Sequence, residues 1–316
     1  CGIFALLNNR DPDIEAIKTE FMKGKNRGPE NSQFLNLTTI NTILGFHRLP
    51  INGYKDDNAN QPFHINNKYL ICNGEIYNFK QLYNILDDVT PISGSDCEVI
   101  IHLYEKFGID QTLQVIDGVF AFILIDLEEN KIFIARDTYG VRPLFAGTVP
   151  NLVDDISSYF FASELKSLSN LPNIHNGNIH QFEPGCYSVF NLDHKKRAHY
   201  LDSREFSSPN SFFNSLPNND ENVIFKNIYS HIENAVRKRV DNTDREVACL
   251  LSGGLDSSIV CALVKRFHSG PLHTWSIGFE GSEDLKYAKI VADHIGSIHH
   301  NICVSEKEFL DAIPEV

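Results

Sequence analysis

The chain has 316 residues, 42% hydrophobic and 22% charged, which excludes a disordered or fibrous protein and leaves room for two domains. Its net charge of −13 excludes nucleic acid as the expected partner, since phosphate binding needs a basic face. Seven scattered cysteines, odd in number and without a CxxC pair, argue against a disulfide framework, and no apolar run approaches the roughly 18 residues needed to cross a bilayer.

Residues 2–7 read as a short apolar strand, too short for a signal h-region, followed by a helix over 13–23 with Pro12 near its start. A reducing, cytoplasmic location is expected. Residues 40–46 and 68–72 read as strands. Ser95-Asp96-Cys97-Glu98 has the spacing of a capping box ahead of the periodic run Val99, Ile100, Leu103 and Phe107, with Gly108 as the stop. Residues 119–126 and 132–136 form a predicted hairpin across Leu127-Glu128-Glu129-Asn130, and 159–162 and 186–190 add short strands. The result is an α+β unit with much antiparallel pairing.

Residues 201–221 are rich in turn formers and poor in core candidates, and are expected to link a first domain, 1–200, to a second, 222–316. There a helix over 223–240 precedes a strand at 247–251, a glycine turn and a helix at 257–267. A strand at 273–279, a helix at 284–294 and a strand at 299–304 follow. Strands alternating with helices of that length predict βαβ units and a parallel sheet. Three strands fall short of the about five or more of a doubly wound domain, so the second domain is expected to be incomplete and to expose core. The chain is accordingly expected to be the front of a longer protein.

The first residue is a cysteine, and a free α-amino group on it is expected. Such a residue carries nucleophile and base together, because the amine titrates near ~7.7–8.0 in model peptides and can accept the thiol proton. An arbitrary cysteine is more often a small buried hydrophobe, but Gly2 leaves room here for a substrate. Asn73 and Gly74 offer two donors to a developing oxyanion, although Asn-Gly taken alone reads as a hairpin turn. Arg48 suits a carboxylate and Asp96 an ammonium. Taken singly, they read more simply as a surface ion pair and a helix-end carboxylate.

Six segments change those odds: Cys1-Gly2-Ile3-Phe4, Arg27-Gly28-Pro29, His47-Arg48-Leu49, Asn73-Gly74-Glu75-Ile76-Tyr77-Asn78, Gly94-Ser95-Asp96 and Arg136-Asp137. Their order and intervals resemble the class II glutamine amidotransferase domain over roughly residues 1–190. The resemblance implies an N-terminal-nucleophile hydrolase fold of four layers, αββα. It implies Cys1 as nucleophile and base, Asn73 and Gly74 as oxyanion hole, and Arg48 as partner of the glutamine carboxylate. Glu75 and Asp96 would hold the amino group, with Leu49 and Ile51 in the same subsite. The family often has His before Arg-Gly-Pro; this chain has Asn26.

Leu250-Leu251-Ser252-Gly253-Gly254-Leu255-Asp256-Ser257-Ser258 joins a strand to a helix. Glycines let backbone approach phosphate oxygens, and the helix presents unpaired N–H groups. Asp256 would repel phosphate unless a cation intervenes, which points to Mg²⁺. A bare Gly-Gly would favour a plain βα turn, and no GxxxxGK[ST] or GxGxxG occurs. The full string resembles the pyrophosphate loop of enzymes that cleave ATP to AMP and pyrophosphate. ATP contacts are therefore expected at Leu251, Ser252, Gly253, Gly254, Asp256 and Ser257, and at Ile277 on the strand Trp275-Ser276-Ile277-Gly278-Phe279.

The joining of the two motifs resembles the asparagine synthetase family. It implies glutamine, aspartate and ATP as substrates, ATP and Mg²⁺ as cofactors, and no nucleic-acid or membrane partner; a homodimer is compatible with it. Ammonia from a γ-glutamyl thioester would travel internally to an aspartyl-AMP. The alternatives are a glutaminase-only fragment, a β-lactam-synthetase-like ligase that does not use glutamine, and a non-catalytic binding module. His299, His300 and Cys303 read as structural or substrate-side rather than as a zinc site, because four well-spaced ligands are lacking.

Overall fold

The computed structural model describes residues 1–9, 13–150, 156–171, 179–208 and 220–315. The chain divides into two compact units, Cys1–Ser215 and Leu216–Val316. Pro12, and the part of the expected linker over 209–219, lie outside the described residues.

The first unit begins with β1 (Gly2–Leu7), α1 (Ile14–Met22), β2 (Asn31–Leu37), β3 (Thr42–Arg48) and β4 (Phe63–Ile65). It continues with β5 (Lys68–Ile76), α2 (Phe79–Ile85), α3 (Val99–Val115), β6 (Gly118–Asp126) and β7 (Lys131–Arg136). It closes with β8 (Phe145–Val149), β9 (Ser158–Ala162), β10 (Ile179–Gln181), β11 (Cys186–Leu192) and β12 (Ala198–Glu205). These strands form two antiparallel six-stranded sheets, in the orders β10-β8-β9-β1-β3-β2 and β12-β11-β7-β6-β5-β4.

Period-two patterning stacks the layers. Along β1, Ile3, Ala5 and Leu7 join Ile71, Ala121, Ile123 and Ile134 of the facing sheet, while Phe4 and Leu6 pack under Ile17 and Phe21 of α1. On the far side Leu70, Cys72, Phe122 and Leu124 pack beneath Leu82, Ile100 and Leu103 of α2 and α3. The layer order is αββα, as the resemblance implied.

Several expectations are corrected. The strand 68–72 does not stop at a turn: β5 runs to Ile76 and pairs residue by residue with β6, Asn73 opposite Ala121 and Gly74 opposite Phe120. The hairpin turn instead lies just upstream, where Asn66 and Asn67 take φ of 46° and 57° between β4 and β5. Ile40 ends a short 3₁₀ turn, and β3 starts at Thr42. Ser95 caps a 3₁₀ turn by accepting from the Cys97 N–H, while the Glu98 carboxylate bonds the N–H groups of Ile92 and Ser93, so no capping box forms there. Gly108 breaks the helix at φ 76°, but helical turns resume to Val115. Residues 201–205 belong to β12, paired with β11.

The second unit is built of α4 (Glu221–Val240), β13 (Ala248–Leu250), α5 (Leu255–Phe267), β14 (His273–Gly278), α6 (Glu283–Ile295), β15 (Ile298–Cys303) and α7 (Glu306–Asp311). Its three strands are parallel, in the order β13-β14-β15. Val236 of α4 and Leu263 and Val264 of α5 pack together with Leu272, and Cys261 of α5 packs with Ala288 and Ala292 of α6. The opposite sheet face carries Leu250 (84% exposed), Trp275, Ile277 (61% exposed), Ile298 and Ile302, the open apolar face that so few strands lead one to expect. No helix among the described residues is long and apolar enough to cross a membrane.

Candidate active site at the start of the first strand

Cys1 sits at the head of β1, where Gly2 pairs with His47 of β3, and shares a cleft with Arg48, Leu49, Ile51, Gly74 and Asp96. The cleft is small, with a cavity volume of about 30 Å³. The Cys1 sulfur lies 3.4 Å from both the N–H and the carbonyl of Leu49, and its own carbonyl accepts from Arg27 Nε at 2.9 Å. Gly28 lets Arg27 reach that position, since a Cβ there would strike the His47 carbonyl. With Cys1 as first residue, its α-amino group is lowered to about 5, by burial first and then by the nearby Arg27 and Arg142 cations; Glu75 pulls the other way.

The departure of β5 from a turn explains how Gly74 takes part. In an antiparallel strand, N–H groups of alternate residues point to the same edge. At that edge the Cys72 N–H is accepted by Gln61 Oε1 at 2.6 Å and the Ile76 N–H by Asp96 Oδ2 at 2.7 Å. By the same alternation the Gly74 N–H, between them, faces the cleft. A Cβ at Gly74 would stand 2.6 Å from the Val119 carbonyl, so β6 leaves no space for a side chain. Asn73 points the other way, into the space between the sheets. It is 1% exposed, and its amide donates to Ser163 Oγ at 3.4 Å.

Arg48 lines the cleft, yet three of its N–H donors are occupied by the Gly53 carbonyl at 2.5 Å, the Asp56 carbonyl at 3.2 Å and Asn60 Oδ1 at 3.0 Å. A guanidinium has five donors, so part of the fork stays available to a carboxylate. Asp96 is buried, and desolvation raises its carboxyl to about 6 despite the Ile76 N–H. Glu75 stands apart from the cleft lining and pairs with Arg142 at 2.6 Å.

The Arg136-Asp137 segment was read as part of the resemblance without a role, and the structure supplies one. Asp137 accepts the N–H groups of Phe120, Tyr139, Val141 and Arg142, and Arg136 donates to the carbonyls of Gly140, Arg142 and Phe182. Together they fold the turn that brings Arg142 to Glu75. Arg142 itself escaped the sequence reading, because its partner Glu75 lies far away in the chain. Gln61 and Ser163 gave no signal, since their partners are 11 and 90 residues away.

In the second unit the Leu250–Ser258 string forms the expected strand–turn–helix. Gly253 takes φ +82° with its Cα against α6, where a Cβ would lie 2.5 Å from the Ala288 N. Ser252 Oγ and Ser257 Oγ are 3.0 Å apart across the turn, and Gly254 caps α5 without a side-chain bond, so the first N–H groups of a 13-residue helix stay open. Such a cradle suits a phosphate, and Asp256 stands in the first turn of α5. The Leu251 side chain is 1% exposed, packed with Cys261, and its N–H donates to the Trp275 carbonyl at 2.8 Å, whereas Ile277 lies on the open sheet face. His299 bonds Thr274 and Ser276, and His300 bonds His273 and stacks on Trp275. Among the described residues no group of three or more His, Cys, Asp or Glu could hold a metal ion.

An αββα sandwich with a cysteine at the head of a central strand, sharing a cleft with Gly74 of the opposite sheet, is the architecture of the N-terminal-nucleophile class. The chain belongs to the glutamine amidotransferase family, whose model, described as a glutamine amidotransferase domain, matches residues 1–207. A second model, asparagine synthase, matches residues 227–316. The chain is 38% identical over 338 residues to the glutamine-hydrolysing asparagine synthetase of Gallus gallus and 37% identical over 344 residues to that of Homo sapiens. Each alignment covers 100% of this chain and 58% of the relative, so the chain spans little more than half of their length. Among solved structures, the glutamine phosphoribosylpyrophosphate amidotransferase from B. subtilis is similar at a TM-score of 0.53 and 15% identity. That match covers 99% of this chain and 92% of that one, a likeness of fold alone.

Proposed function

We propose that the first unit hydrolyses glutamine and that the protein uses the released ammonia to make asparagine from aspartate and ATP. The observation that carries this reading is Cys1 sharing one cleft with Gly74, Arg48 and Asp96. Glutamine lies with its carboxylate at the free donors of Arg48 and its ammonium at Asp96. The neutral Cys1 amine takes the thiol proton, and the sulfur attacks the side-chain carbonyl. The Gly74 N–H and the Asn73 amide receive the oxyanion. The protonated amine then gives its proton to departing ammonia, and water, activated by the same amine, releases glutamate from the thioester.

In the second unit, Ser252, Gly253, Gly254 and Ser257 hold the pyrophosphate of ATP, the Leu251 backbone and Ile277 meet the base, and Asp256 meets Mg²⁺. Bound there, ATP activates the aspartate carboxyl for attack by ammonia. The match of residues 227–316 to the asparagine synthase model supports this half. We assign residues 1–200 and 222–316 to the two activities, a cytoplasmic location, and a homodimer as the assembly. The test is glutamate release from glutamine. The unmodified chain releases it and Cys1→Ala does not; no release by the unmodified chain would instead favour a binding module or a lactam-type ligase.

A further inference from the structure

Cys249, in the middle of β13, and Cys261, two turns into α5, bracket the glycine turn from both ends, with residues 250–260 between them. Their side chains meet on the helix-covered side of the sheet. Cys261 is buried with Leu251, Ala288 and Ala292, and Cys249 packs against that cluster and against the one formed by Leu263, Val264 and Leu272. Both sulfurs thus belong to one packed cluster, and the Cys261 thiol donates at 3.8 Å to the carbonyl of Leu250, the residue next to Cys249. Neither thiol takes part in the chemistry assigned above.

We propose that Cys249 and Cys261 are a reversible redox pair, which a peroxide converts to a disulfide that closes a covalent ring around the 251–257 turn. Cys249 is the sulfur that reacts first. It is only partly buried, and the hydrogen bond from Cys261 holds its thiol below the ordinary range. Its thiolate attacks one peroxide oxygen; the O–O bond breaks, and the departing hydroxide takes up the proton the thiol lost, leaving water and a sulfenic acid. The Cys261 sulfur then attacks the Cys249 sulfur. The S–S bond forms, the S–O bond breaks, and the hydroxyl leaves with the Cys261 proton as a second water. Two thiols lose two electrons and one peroxide gains them; a dithiol reductant reverses the change.

A second thiol pair provides an internal contrast. Cys72 on β5 and Cys97 before α3 also share one cluster, but both are buried. No partly exposed sulfur starts the reaction there.

Gly253 is already seated against the backbone of α6, so the ring would fix the turn at both ends. Mg-ATP binding is expected to fall about fivefold or more on oxidation. That consequence rests on the nucleotide reading above; the disulfide does not. The experiment treats the whole folded chain with hydrogen peroxide, alkylates the remaining thiols and maps the peptides. The expected result is a peptide joined through Cys249 and Cys261, released by dithiothreitol, with Cys72 and Cys97 alkylated as free thiols. In Cys261→Ala the linked peptide disappears and a dimedone adduct forms on Cys249. Recovery of Cys249 as free thiol or sulfinic acid beside an intact Cys261 thiol, or linkage of either to another cysteine, overturns the proposal. A disulfide that forms without changing ATP affinity overturns only its consequence. A reduced chain that binds no ATP overturns the nucleotide reading and leaves the pair standing.

Discussion

The Asn73 amide donates to the Ser163 hydroxyl at 3.4 Å, and that same oxygen accepts the backbone N–H of Ile3 at 3.0 Å. One hydroxyl thus ties β5 of one sheet to β1 of the other, two residues from Cys1. Ser163→Ala leaves a buried N–H without its acceptor and frees the Asn73 amide, a loss of about 1–3 kcal/mol of stability. The melting temperature should fall. In glutamine hydrolysis kcat should fall while KM holds, because the amide serves the oxyanion rather than bound substrate. Parental stability and kcat in this variant would contradict the assignment.

The pH profile follows from two perturbed groups. The Cys1 amine must be neutral and the Asp96 carboxyl ionised; burial lowers the first to about 5 and raises the second to about 6. The kcat/KM for glutamine should therefore hold through neutrality and fall as pH drops through about 6, more steeply below 5. An amine at its ordinary value of 8.0 would place the acid limb two to three pH units higher. Rate measurements between pH 4.5 and 9 separate the two cases.

Asp96 also sets a stability trade-off. Its folded value of about 6 lies above its ordinary 3.8, so between them the folded chain binds more protons than the unfolded one. Stability from this group is present below 3.8 and is lost as pH rises through about 6. Asp96→Asn removes the buried charge. At neutral pH it should stabilise the first unit by roughly 1–2 kcal/mol, with the gain vanishing near pH 4, while glutamine binding is lost. Denaturant unfolding at both pH values, with glutamine titration, checks both parts.

Gly253→Ala tests the seat of the nucleotide turn. The residue sits at φ +82° with a Cβ position 2.5 Å from the Ala288 backbone nitrogen, so a methyl group must displace either α6 or the turn. The second unit should lose about 1–3 kcal/mol and the first should be unaffected. Separate unfolding transitions followed by Trp275, the single tryptophan, report the second unit alone.

Much of the architecture was legible in the chain. Ile3, Ala5 and Leu7 alternating with Phe4 and Leu6 announce a strand buried on both faces, and the βαβ alternation after residue 222 resolves as three parallel strands. Local signals misled where a longer-range contact overrode them. Asn73-Gly74 has turn chemistry, yet pairing with β6 along the whole of β5 holds it extended, and Gln61 and Asp96 cover the flanking N–H groups. Ser95 and Glu98 have capping-box spacing, but Glu98 instead collects the loop at Ile92 and Ser93. Arg48 was read only as the partner of a substrate carboxylate, and its grip on the Gly53–Asn60 loop depends on a fold that spacing does not encode. Ser163 and Arg142 were invisible for the same reason.

The central claim is that thiol and amine of one residue attack glutamine together. The most direct measurement compares glutamate release by chains that begin at Cys1 with release by chains whose Cys1 amine is acetylated, both verified by intact mass. Release from the first and none from the second is the predicted result. Equal release from both would contradict it, because an acetylated nitrogen cannot take the thiol proton.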